Sequence, residues 1–155
     1  MISNQEAFLS VAREAHQEMR RLVEEGRTPK PDGIPGYIVT LDPQQSSFKQ
    51  ALIAMAFAGI YFEAHTYFVA RLQSKSQAEK VDRAGYRDKL VALGVTDDEL
   101  LAAAESFRQD RNHLIHEKAM PAEEVNWAEA RFAQSCADKA MEFVAAVQSA
   151  LASAR

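Results

Sequence analysis

Between residues 48 and 72 two apolar series occupy one stretch of chain: Phe48, Leu52, Met55, Gly59 and Phe62 form one, and Ile53, Phe57, Ile60 and Ala64 the other. Those offsets leave a helix apolar on most of its sides, so it must be covered on most of them. Such a helix is either the central element of a bundle or part of a subunit interface. Ser46 or Ser47 is placed to cap its start. Its longest uninterrupted apolar run, residues 51–62, is 12 residues, short of the roughly 20 that span a bilayer. Two residues interrupt it. Glu63 needs a cation if it is buried, and Arg111 is a candidate partner; the alternative is that Glu63 faces solvent. His65, among aromatic residues, reads as a satisfied packing residue, as does His16.

The remaining elements arrange themselves around this helix. Phe8, Ala12, Ala15, Met19 and Leu22 make an apolar stripe over residues 4 to 25, ended by Gly26, with Arg13, Arg20 and Arg21 on a solvated face. Pro31, Asp32-Gly33, Pro35-Gly36 and Asp42-Pro43 break helical structure from 27 to 47. Such a connection is long for a compact domain, and its β-prone residues 37–41 are expected to lie extended over the bundle, where they would cover a site. A shorter helix is expected over 78–93 from Val81, Tyr86, Leu90 and Leu93, with Gly85 weakening it. Gly94 and Val95 resemble a C′ glycine and its hydrophobic follower, and Thr96 to Glu99 reads as a capping box. The next helix is therefore expected over about 97–118, punctuated by Pro121. A last helix over about 122–152 carries Val125, Phe132, Cys136, Ala140, Phe143, Val147 and Leu151.

At 155 residues, 47% apolar and 26% charged, with six glycines and five prolines, the chain is expected to form a single globular domain over 1–155. The fold expected is all-α, a four- to five-helix up-and-down bundle, with no sheet beyond a short extended piece near residues 36–41. A formal charge of -4 and a pI near 5.6 argue against a broad electrostatic nucleic-acid surface and still permit a compact site for one or two phosphates. Cys136 is the only cysteine, so neither an intramolecular disulfide nor a thiolate cluster can form, and its apolar setting predicts a buried side chain. The N-terminal residues lack a basic region followed by an apolar core, so no signal peptide and a cytoplasmic location are expected, with no membrane partner. No glycine-rich phosphate loop, HExxH helix or carboxylate-rich metal pattern is present, and no metal or other cofactor is expected.

The densest polar chemistry lies at residues 110–117, Asp-Arg-Asn-His-Leu-Ile-His-Glu. Leu100, Ala104, Phe107, Leu114 and Ile115 recur at helical steps, and Arg111 falls in the same series, so its guanidinium is predicted to point toward the core. A charge so placed must meet a carboxylate, a phosphate or a water-filled cleft. Asn112 and His116 lie one turn apart and, with His113, make a polar ridge beside the apolar stripe. Arg111 and His116 are about 140° apart in azimuth on a straight helix. One helix would not close both on a single small group, whereas a second copy across a two-fold axis could, so a homodimer is expected.

Arg111-Asn112, followed by His116, resembles the signature of the HEPN superfamily, in which an arginine, a polar residue and a histidine four to six residues after the arginine share one helix of an all-α bundle. The six residues R-N-H-L-I-H are similar to the R-N-x-L-x-H form of HEPN toxins encoded beside nucleotidyltransferase antitoxins; those toxins usually carry a tyrosine where this chain has Lys118. The resemblance implies a HEPN-like fold and a metal-independent endoribonuclease of a toxin-antitoxin or antiviral defence system. It makes Arg111 and His116 the catalytic residues, with RNA as substrate and an antitoxin protein as a possible partner.

The chemistry fits those residue types. RNA carries its own nucleophile in the 2′-hydroxyl, so cleavage needs a base, an acid for the leaving oxygen and a cation for the phosphate. Histidine titrates near neutrality, and arginine grips phosphate bidentately. Asn112, Glu63 and His113 are supporting candidates, His113 the weakest because it points elsewhere on the helix. Two other readings use the same residues structurally: a non-catalytic HEPN-like module binding RNA or protein, and a helical ligand-binding protein.

Overall fold

The computed structural model describes residues 4–40, 44–115 and 127–152. Within them the chain is all-α but for one small ribbon. Helices α1 (Asn4–Glu25), α2 (Ser46–Gln73), α3 (Lys75–Arg83), α4 (Tyr86–Ala92), α5 (Asp98–Ile115) and α6 (Trp127–Ala152) follow in order, with strands β1 (Arg27–Pro29) and β2 (Tyr37–Val39) between α1 and α2.

The four long helices run up, down, up and down. Gln5 of α1 meets His65 of α2 at 3.0 Å and Phe8 meets Phe57, which sets α1 and α2 antiparallel. Phe107 packs on Phe143, with ring centroids 5.0 Å apart, and His113 on Phe132, which sets α5 antiparallel to α6. His16 and Arg20 of α1 both reach Asp138 of α6, at 2.7 and 3.2 Å. The doubly apolar helix is the centre, as its pattern requires: α2 packs on α1, α3, α5 and α6 and buries Ala51, Met55, Ala58, Phe62, Val69 and Ala70. By length and composition it is also a helix that could cross a bilayer, and half of its apolar window is covered by the bundle. A ring of aromatics closes the core, with Phe62 4.7 Å from Tyr86 and 5.3 Å from Phe143.

Local signals set several boundaries. Gly94, at φ +88°, ends α4 in a Schellman turn: Val95 N–H donates to Leu90 O and Gly94 N–H to Val91 O, both at 3.0 Å. The start of α5 differs from expectation. Asp97 is its cap, with Oδ1 accepting from Glu99 N at 2.9 Å and Leu100 N at 3.1 Å, because its carboxylate sits where the orphan amides converge. The single helix expected over 78–93 is two, separated at Ala84 and Gly85, where the backbone is extended. The Lys89 ammonium holds the open end of α3, donating to Val81 O at 2.7 Å and Asp82 O at 3.2 Å. Phe132, expected in the buried stripe of α6, is exposed, and Ala130, Ala133, Cys136 and Ala137 face the core in its place.

The connection after α1 is an antiparallel ribbon, Arg27 opposite Val39 and Pro29 opposite Tyr37, with a 3-10 turn at Pro31–Gly33. Its root is pinned: Thr40 N–H donates to Gly26 O at 2.9 Å, and a Cβ on Gly26 would lie 2.8 Å from Thr40 O. Every residue from 27 to 40 is exposed, so the ribbon projects from the bundle and neither lies over it nor covers a site. Its strands are too short to present one continuous apolar face.

Candidate functional site

Arg111 lies where the periodicity of α5 predicts, turned toward α2. Its stem crosses that helix at Gly59, where a Cβ would stand 2.5 Å from Arg111 Nε and 2.8 Å from Cδ. The absence of a side chain at Gly59 is what lets the two helices meet at this point. Nε is shielded from solvent, while the residue as a whole is only partly buried.

Around the crossing stand groups from three helices. The cation bound to Glu63 is Lys89 of α4, Nζ to Oε2 at 2.9 Å, with Lys89 almost wholly buried and the carboxylate half-exposed. The candidate Glu63–Arg111 pairing thus takes another form: both residues act on Tyr86. The Tyr86 hydroxyl donates to Glu63, and burial chiefly raises its pKa, opposed by the nearby Arg111 and Arg108 guanidiniums and reinforced by Glu63. The ring is clamped between Phe62 and Phe107. Arg108, one turn before Arg111, is bound to Glu105 at 2.6 Å. Lys89 and Arg108 are thus each paired with a carboxylate, Glu63 and Glu105, on a chain whose formal charge is -4.

Asn112 is partly buried beside Arg111. His113 is elsewhere: two residues further along α5, it turns away by about 200° and meets Phe132 edge-on, with centroids 5.4 Å apart. His116, Lys118 and Pro121 lie outside the described residues, as do residues 122–126 of the expected last helix. His65 is buried, stacked on Tyr61 at 5.2 Å with Nδ1 against Gln5, and His16 pairs with Asp138, both as packing residues. Cys136 is buried, and its thiol is pushed up to about 12, first by burial and then by the charge of Asp110.

A cleft of about 400 Å³ opens between α5 and α6, lined by Asp97, Leu100, Phe107, Asp110, Cys136 and Lys139 among others. Arg111, Asn112 and His113 are not part of its lining. Among the described residues, no three His, Cys, Asp or Glu side chains gather in a metal-binding group.

Gly59, Tyr86 and Lys89 are the site members that sequence reading did not single out. Lys89 carried a signal: three residues after Tyr86 and four before Leu93, it falls inside an apolar series, where a lysine needs partners. Gly59 carried less, since a glycine in an apolar helix looks like any small core residue. No family model, curated protein or solved structure matches the chain. The class that its fold defines is therefore an all-α helical protein, built around one apolar central helix.

Proposed function

We propose that the chain is a HEPN-like, metal-independent endoribonuclease of a toxin-antitoxin or defence system, in which Arg111 binds the scissile phosphate and His116 transfers protons. The observation that supports this most is the seating of Arg111 across Gly59. A guanidinium whose stem is already immobilised loses little freedom when it meets a phosphate, so its bidentate grip is preorganised. Arg108 and Lys89, each held by a carboxylate, stand beside it with Tyr86 and Glu63 and brace the surrounding wall. Attack by the 2′-hydroxyl would leave a 2′,3′-cyclic phosphate, with the base and acid supplied by histidine. The partners that accompany this reading are an RNA substrate, a second copy of the chain and an antitoxin protein.

The deciding experiment incubates purified protein with a mixed RNA pool in EDTA and sequences the ends produced. Wild type is expected to cleave RNA, leave cyclic phosphate termini and spare DNA, with His116→Ala slower by about 10²-fold or more. A His116→Ala variant as active as wild type, or a wild type without activity, rejects the nuclease.

One observation favours a non-catalytic module. The same burial of the Arg111 stem on Gly59 serves helix packing, and the acidic chain offers RNA no broad basic surface. If Arg111→Lys leaves every RNA-dependent readout unchanged, this second reading stands.

A further inference from the structure

The cleft between α5 and α6 stands apart from the Arg111 crossing, and its shape follows from the two helices that wall it. Leu100 and Phe107 on α5 are two turns apart on one face, and Cys136 and Phe143 repeat that spacing on α6. All four are buried, so they make a largely apolar floor. Because Phe107 packs on Phe143 in an antiparallel pair, Ala103 and Ala146 stand at nearly the same level, one turn away. Neither side chain is long enough to bridge the helices there. The groove therefore stays open above its floor to about 400 Å³, within the range of small-molecule sites.

The rim is charged where the floor is not. Asp97 and Glu99 stand toward one end and Asp110 and Glu142 toward the other, against the ammonium of Lys139. Among the described residues none of these four carboxylates is in an ion pair. Asp97 accepts from the amides that open α5, and Asp110 from the Cys136 thiol. Glu99 and Asp110 are three turns apart on the same side of α5, a separation of about 16 Å. Such a rim repels phosphate and attracts cations. A compact cation would reach one end only and leave the apolar floor uncovered. The chemistry that matches both ends and the floor is a chain of methylenes with ammonium groups at its two ends: the cations meet the carboxylates, and the methylenes cover Leu100, Phe107 and Phe143. We infer that the cleft binds a linear polyamine, extended along α5 between Glu99 and Asp110. The site does not depend on whether Arg111 acts on RNA.

Calorimetric titration of the intact chain at low salt, with spermine, spermidine and putrescine as probes, tests this. Spermine is expected to bind at one site per chain and about 10-fold or more tighter than putrescine, which is too short to reach both ends. Glu99→Gln with Glu142→Gln, both at exposed positions, should weaken spermine by about 10-fold. Ala146→Leu keeps every charge and fills the middle of the groove, so it too should weaken spermine by about 10-fold, a loss that diffuse attraction to an acidic protein would not show. Glu79→Gln, at an exposed carboxylate on α3, is the control, and circular dichroism checks the fold of each variant. No spermine binding at millimolar concentration, equal affinity for spermine and putrescine, or an Ala146→Leu variant that binds as tightly as wild type overturns the proposal.

Discussion

Arg111 lies across Gly59 so closely that a single methyl group on the glycine would overlap its side chain, at 2.5 Å from Nε. The residue proposed to bind a phosphate is thus also the one that sets how α5 approaches α2. Each effect can be separated by the right substitution.

Gly59→Ala sets two terms against each other. Helix propensity favours alanine by about 1 kcal/mol, and overpacking against the arginine costs about 1 to 3 kcal/mol, so net stability should fall only modestly. Under the proposed nuclease reading RNA cleavage should fall much further, since the guanidinium must move. Thermal melts and cleavage rates on the same preparation check the split; an unchanged rate would show that the seat of Arg111 does not matter for activity.

Lys89→Met removes the cation of Glu63 and the donor to the last carbonyls of α3 together. The Glu63 carboxylate is half-exposed and can turn to water, so most of the loss should come from the carbonyls: about 1 to 3 kcal/mol, read by urea unfolding. Glu63→Gln, which keeps a hydrogen-bond acceptor for Tyr86, should cost less than Lys89→Met.

Two neighbouring substitutions decide which residue caps α5. Asp97→Ala should destabilise by about 1 kcal/mol, whereas Thr96→Ala should lie within a few tenths of wild type. Equal losses at both positions would point to the capping box read from sequence.

Cys136 makes a prediction about alkaline stability. Its thiol is raised from 9.0 to about 12 in the fold by burial and by Asp110. Below pH 9 folded and unfolded chains both keep the proton, so the contribution is fully present. Above pH 9 the unfolded chain ionises first, and stability is lost progressively as pH rises toward 12. Cys136→Ala should therefore flatten the alkaline decline seen by denaturant melts, and native protein should resist thiol reagents at pH 8. A native thiol that reacts as fast as free cysteine would contradict the burial.

Much of the architecture was legible because it is encoded within a turn or two of chain. The stripe of α1 stands at Asn4–Glu25, where its apolar spacing places it, and the two offset series of α2 mark the central helix, though the structure leaves Ile53, Ile60, Tyr67, Phe68 and Leu72 exposed on it. Gly94 and Val95 announce a turn whose hydrogen bonds span only five residues. The inward turn of Arg111 and the burial of Cys136 follow from helical phase alone. What the tertiary structure decided involves residues far apart in sequence. Glu63 meets Lys89 because α4 packs where no local pattern could have put it, and a break at Ala84 and Gly85 sets that packing. Phe132 is exposed because the face of α6 that reaches the core is chosen by its neighbours, which take the small residues around Ala133. The ribbon at 27–40 stands away from the bundle because its root is held at Gly26, a contact formed across fourteen residues of chain that periodicity does not reach.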